Sequence, residues 1–164
     1  NRIPTGKRHS PRIGRSTNAR KSIWKKLNMP ASRPVVLDSY ALLAYFRDES
    51  GAAVVERLLE RAESIGVPVL MTEINYAEVK YMMIRKGGAK IWESCAQALP
   101  SLPIKFIPVD RSISDGAALF KAHFKLSLAD ACAAALAKSV GAEVVTGDPE
   151  FRQLEKVIKI RWLK

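Results

Sequence analysis

At 164 residues, with 48% apolar and 26% charged side chains, the chain has the size and composition of one globular domain with a real core. An unbroken apolar run as long as any in the chain, Ala131 to Ala137, falls far short of the roughly 20 residues that a membrane-spanning helix needs, so no transmembrane segment is expected. Two cysteines without short spacing, Cys95 and Cys132, and two histidines, His9 and His123, argue against a disulfide framework and a zinc site and fit a reducing cytoplasm.

The net charge of +11 is concentrated at the start of the chain. Residues 1–33 carry ten Lys or Arg and no acid, while the rest carries 17 basic and 16 acidic side chains. The basicity therefore belongs to a leader, and the folded part, residues 34–164, is nearly neutral. The leader has Pro, Gly, Ser, Thr and Asn between its charges, so it buries little. Three readings of it stand open: an extension ahead of a natural start at Met29, a basic RNA-binding arm, or an Arg-rich transit peptide.

From Pro34 onward, short β-rich apolar runs alternate with helical ones. Val35–Leu37 reads as a strand, and Asp38 follows it directly, opening a helix over Ser39–Arg47. A carboxylate there either points into a crevice at the strand's carboxyl end or caps the helix. A helix over Gly51–Ile65 and a strand over Val67–Met71 come next. Helices over Glu73–Lys86 and Ala89–Leu99 follow, with Gly87-Gly88 as the break between them. On a 3.6-residue wheel Ile74, Ala77, Tyr81 and Ile84 form an apolar stripe, and Glu78 falls within it. A mid-helix Glu is no cap, and on a buried stripe it needs a cation to offset desolvation. An ion pair with Arg85 or Lys80, or a stripe that faces solvent, is the alternative.

Ile104–Val109 is the next strand, followed by helices over Ser112–Phe124 and Leu128–Val140. Ser127 to Asp130 matches a capping box. The helix behind it is apolar all round, which would bury Asp130 and require a specific partner for it. The strand Glu143–Thr146, a Gly turn at Gly147, then Asp148 and Pro149 give a strand end and a helix start. A short helical turn near Pro149–Leu154 and a strand over Val157–Leu163 complete the chain. Apolar strands separated by helices predict an α/β fold, a central parallel sheet flanked by helices in three layers. Ligands in such sheets bind beyond the carboxyl ends of the strands.

Asp38 and Asp148 end strands, Asp130 starts a buried helix, and Glu78 projects from a helix that follows a strand, so all four can converge on one crevice. Four carboxylates in contact could not all ionise without a positive charge among them. Hard oxygen ligands favour Mg²⁺ or Mn²⁺, and such ions serve phosphodiester displacement. Thr146, just before Asp148, can add a hydroxyl to the cluster or to a substrate phosphate.

Four segments resemble PIN domains of the VapC toxin type. Val35-Val36-Leu37-Asp38-Ser39-Tyr40-Ala41-Leu42-Leu43-Ala44 is similar to the family's opening, and Thr72-Glu73-Ile74-Asn75-Tyr76-Ala77-Glu78-Val79 to its second motif. Ser127-Leu128-Ala129-Asp130-Ala131-Cys132-Ala133-Ala134-Ala135 and Val144-Val145-Thr146-Gly147-Asp148-Pro149-Glu150-Phe151 are similar to the third and fourth. The resemblance spans Pro34 to about Leu163, and the leader has no counterpart in it. It implies a metal-dependent endoribonuclease for structured RNA, a homodimer, and an antitoxin partner. Asp38, Glu78, Asp130 and Asp148 carry over as the acidic metal ligands, and Thr146 as a secondary polar contact.

An acidic pocket needs a basic surround to hold RNA, and Arg85, Lys86, Lys90, Lys121 and Lys125 are the candidates. Helices such as Gly51–Ile65 and Glu73–Lys86 are plausible docking walls for an antitoxin. Three other readings remain: a phosphatase or receiver domain with an acidic metal pocket, a non-catalytic RNA-binding or scaffold protein that works through its leader, and a PIN-domain RNA-processing factor that is not a toxin. The absence of a second Asp close after Asp38 counts against a phosphatase of the Asp-x-Asp kind.

Overall fold

In the computed structural model, residues 34–163 are described; the readings made of the basic leader lie outside them. Five strands form the sheet: β1 (Val35–Leu37), β2 (Val69–Thr72), β3 (Ile104–Ile107), β4 (Glu143–Thr146) and β5 (Lys159–Trp162). Five helices connect them: α1 (Ser39–Phe46), α2 (Ala52–Ile65), α3 (Glu73–Ala98), α4 (Arg111–His123) and α5 (Leu128–Val140). Short 3-10 turns cover Leu99–Ser101 and Pro149–Leu154.

Alternation along the strands sets the layers, because successive side chains leave opposite faces of a sheet. Val36, Leu70 and Val144 point to one face and pack with Phe120 of α4, Leu136 of α5, and Phe151 and Leu154 of the second 3-10 turn. Their neighbours Leu37, Met71 and Val145 point to the other and meet Leu42 of α1, Val55 and Leu59 of α2, and Val79 of α3. Each fully buried Val or Leu contributes about 1.5–3 kcal/mol. Both faces are thus covered, and the expected three-layer α/β/α arrangement is found.

The strand order is β3-β2-β1-β4-β5, and every pairing is parallel. The connections through α1, α2 and α3 cover one face, and that through α4 and α5 covers the other. The order therefore reverses between β1 and β4, whose register pairs Leu37 with Val145. That reversal opens a crevice at the carboxyl ends of the central strands, where doubly wound sheets bind ligands.

Element boundaries differ from the sequence reading by a few residues, for backbone reasons. β2 begins at Val69 because the Val67 N–H closes α2 on the Ala62 carbonyl and Pro68 has no N–H to give a ladder. β5 begins at Lys159 because the amides of Val157 and Ile158 both bond the Leu154 carbonyl. The expected break at Gly87-Gly88 is present: Gly88 has φ 81° and ψ 171°, a conformation that only glycine adopts without strain.

Candidate active site

Each acidic residue is placed by the junction it occupies. Asp38 ends β1 and starts α1; its side chain makes no cap bond to that helix and is only 1% exposed. Both oxygens are held instead by side chains from β4 and α3. The Thr146 hydroxyl at the end of β4 donates to Oδ2 at 2.8 Å, and Asn75 Nδ2 donates to Oδ1 at 3.2 Å. Thr146 Oγ1 in turn accepts from the Asp148 amide at 2.9 Å.

Asn75 extends this network into α3. Its Nδ2 also donates to Ser39 Oγ at 3.0 Å, and its Oδ1 accepts a short hydrogen bond from the Thr72 hydroxyl. Ser39 Oγ donates to the Asn75 carbonyl, and Thr72 Oγ1 caps α3 by accepting from the Asn75 amide at 3.1 Å. Ser39, Thr72 and Asn75 are all buried. The sequence reading missed them as functional residues. Their signal was the spacing of Asn75, Val79 and Met83, four residues apart and all buried on one face of α3.

That face corrects the argument made for Glu78. The stripe of Ile74, Ala77, Tyr81 and Ile84 faces solvent: Ile74 is 37%, Tyr81 51% and Ile84 40% exposed, and Ala77 is exposed too. Glu78 is half-buried, three residues beyond Asn75 and so at the margin of the face that packs inward. Its place beside the cluster comes from that margin, with no contribution from a buried apolar stripe.

Asp130 and Asp148 do serve as caps. Ser127 Oγ accepts from the Asp130 amide at 3.0 Å and Asp130 Oδ2 accepts from the Ser127 amide at 3.1 Å, a complete capping box. Asp148 Oδ1 accepts from the Glu150 amide at 2.8 Å, with Pro149 behind it. Asp130 is nonetheless buried, and Asp148 half-buried. Gly147 between Thr146 and Asp148 has no positive φ, so the Gly turn read there is not a left-handed one.

The four acids are linked electrostatically: Asp38 feels Asp130 and Glu78, and Asp130 feels Asp148 and Glu78. Burial pushes the Asp38 carboxyl from 3.8 up to about 8, and the charges of Asp130 and Glu78 push the same way against the hydrogen bonds from Thr146 and the Ser39 amide. Burial likewise raises Asp130, against its bonds to Ser127, and Asp148 and Glu78 add to the rise. The crevice thus holds more negative charge than its own donors balance, the situation a cation relieves. The all-oxygen donor set suits a hard divalent ion in kind and in charge. As the side chains stand, no three His, Cys, Asp or Glu residues among those described close around an ion.

Of the basic candidates, Arg85, Lys86, Lys90, Lys121 and Lys125 are exposed. Lys121 Nζ is engaged by the Leu126 carbonyl, which ties it to the α4–α5 loop. Among the described residues no helix is long and apolar enough to cross a membrane.

Comparison with known proteins adds a family and a set of similar folds. The family model described as the PIN domain matches residues 35–157, and no curated protein sequence matches the chain. A solved structure of VapBC2 from Rickettsia felis, bound to a DNA fragment from its promoter, has 12% identity and a TM-score of 0.64, covering 79% of this chain and 98% of that one. DNA-bound VapBC from Salmonella typhimurium has 17% identity and a TM-score of 0.61, with coverage of 79% and 98%. VapC20 from Mycobacterium tuberculosis, described as a sarcin–ricin loop cleaving toxin, has 15% identity and a TM-score of 0.58, with coverage of 73% and 93%. At these identities the likeness is one of fold.

Proposed function

Because the chain belongs to the PIN-domain family, we propose that it is a divalent-metal-dependent endoribonuclease that cuts structured RNA, acting in the cytoplasm as the toxin of a toxin–antitoxin pair. The observation that carries this reading is the burial of Asp38 beside Asp130 and Glu78 at the switch point of the sheet. Asp38, Glu78, Asp130 and Asp148 would hold Mg²⁺ or Mn²⁺. When bound, the ion supplies the charge that lets the acids ionise together and the Lewis acidity that suits phosphodiester hydrolysis. Asn75 and Thr146 keep the two oxygens of Asp38 in fixed positions, so little side-chain ordering is left for the binding step. Glu78 and Asp148, both half-buried, are the acids that reach solvent water.

Residues 34–164 form the catalytic domain in this reading, and residues 1–33 lie ahead of it. An antitoxin partner is supported by the fold's likeness to toxins solved as VapBC complexes, and a homodimer follows from the same family resemblance. The test is incubation of the purified chain, and of Asp38→Asn, with total cellular RNA in Mg²⁺, in Mn²⁺ and in EDTA. Discrete fragments that need metal and vanish in the variant are the expected result. If folded, antitoxin-free protein gives no metal-dependent cleavage, the reading is overturned. Weight then passes to RNA binding by the leader, with its ten basic residues and no acid.

A further inference from the structure

Gly147 raises a question that its backbone does not answer. It lies between Thr146, bonded to Asp38, and Asp148, yet its φ is not in the left-handed region, so an L-residue would suit its backbone. What excludes a side chain there is Tyr40. A Cβ on Gly147 would stand 2.3 Å from Cε1, 2.7 Å from Cζ and 3.0 Å from Cδ1 of that ring. Tyr40 is the second residue of α1, two after Asp38, and is 40% exposed. Its ring therefore lies directly against the β4 exit, joining the two strand ends that frame the crevice while keeping part of its surface in water.

The other tyrosines near the cluster are engaged elsewhere or lie farther along the chain. Tyr76 packs edge-on against Trp92 and Phe106, and Tyr45 against Phe46. Tyr81 is exposed but sits on the solvent face of α3. We propose that Tyr40, seated on Gly147, is the stacking platform for the nucleotide next to the scissile phosphate, so that this residue pair contributes to substrate binding and to the choice of cleavage position. The inference rests on the ribonuclease reading above. Its physical basis is that an aromatic face at the lip of a phosphate-processing crevice offers a base a partner that no backbone group provides.

The experiment uses the full chain and a synthetic RNA built from a fragment junction that the wild type produces. Tyr40→Leu is expected to raise KM about tenfold with kcat little changed, in line with the loss of one stacked base, while Tyr40→Phe stays near the wild type. Gly147→Ala, which leaves Tyr40 in the chain but drives its ring aside, is expected to raise KM similarly and to add little to Tyr40→Leu in the double variant. An RNA abasic beside the scissile phosphate should weaken wild-type binding and leave Tyr40→Leu unaffected. Unchanged KM in folded Tyr40→Leu overturns the proposal, as does an equal loss in Tyr40→Phe, which would assign the effect to the hydroxyl. If Tyr40→Leu does not fold, the Phe variant and Gly147→Ala decide. A wild type that cuts nothing refutes the ribonuclease reading instead, so the two failures are distinct.

Discussion

The two ends of the sheet are built on opposite terms. The six buried polar or charged residues found among those described are Asp38, Ser39, Thr72, Asn75, Asp130 and Thr146; five lie at a strand's carboxyl end or in the first turn of the helix after it, and Asp130 opens α5, which follows α4. At the amino ends, a cavity of about 330 Å³ is bordered largely by apolar side chains such as Val35, Leu58, Ala62 and Val67. The ion pair there, Arg161 with Glu143, keeps both side chains partly in solvent. One end retains desolvated carboxyls; the ion pair at the other stays partly in water. Since burying an unbalanced carboxylate works against folding, the carboxyl end marks where the chain gives up stability for a purpose, and the amino end is ordinary scaffold.

The largest effect that would sharpen this contrast is in pH. A carboxyl raised from 3.8 to about 8 in the folded state binds a proton that the unfolded chain has lost. Its contribution to stability is therefore full below about pH 4 and disappears as the pH rises through about 8. In metal-free protein this amounts to a loss on the order of 5 kcal/mol as an upper bound, with Asp130 acting in the same direction. Denaturant unfolding across that range should show the decline, and both Asp38→Asn and added Mg²⁺ should flatten it. A flat profile in the metal-free wild type would break the contrast at its centre.

A middle-sized effect is expected at Asn75. Replacing it by Ala removes a donor to Asp38 and to Ser39 and the acceptor for the Thr72 hydroxyl, which leaves buried groups unpaired. Unfolding should show a destabilisation of about 1–3 kcal/mol, and Mn²⁺ titration followed by calorimetry should show weaker binding, since the Asp38 carboxylate loses its fixed orientation. Undiminished Mn²⁺ affinity would confine Asn75 to a packing role.

The smallest effect belongs to the opposite end. Glu143→Gln should change stability by less than about 1 kcal/mol, as partly exposed pairs do, and should leave RNA cleavage as it was. A fall in cleavage rate would show that the amino end is coupled to the crevice after all.

Much of this division was legible in the sequence. Alternating apolar runs announced the parallel sheet, and Asp38, Asp130 and Asp148 were visible because strand ends and helix starts carry local signatures. Glu78 was reached by an argument that the structure overturns, since a wheel identifies a stripe but not which side meets the core. Ile74, Tyr81 and Ile84 face water, and Val79 and Met83 face inward. Asn75 was hidden for a related reason: a polar residue in a helix looks solvated until a tertiary neighbour such as Asp38 is brought to it. The contact between Tyr40 and Gly147 joins residues more than a hundred positions apart, and no local pattern encodes it.

The capping roles of Asp130 and Asp148 bear on how this lineage could lose the activity proposed for it. Both acids bond backbone amides that need a partner whether or not any RNA is cut, so selection for folding alone would retain them. Asp38 caps no backbone amide; it accepts from the buried Thr146 hydroxyl and Asn75 side chain, a duty that an uncharged acceptor at the same place could share. In a descendant released from the proposed task, the charge at position 38 is what selection for folding would not retain, and a copy could keep Asp130 and Asp148 long after losing it. Among sequences of this shape, the residue after β1 is the one to inspect when sorting working copies from relics.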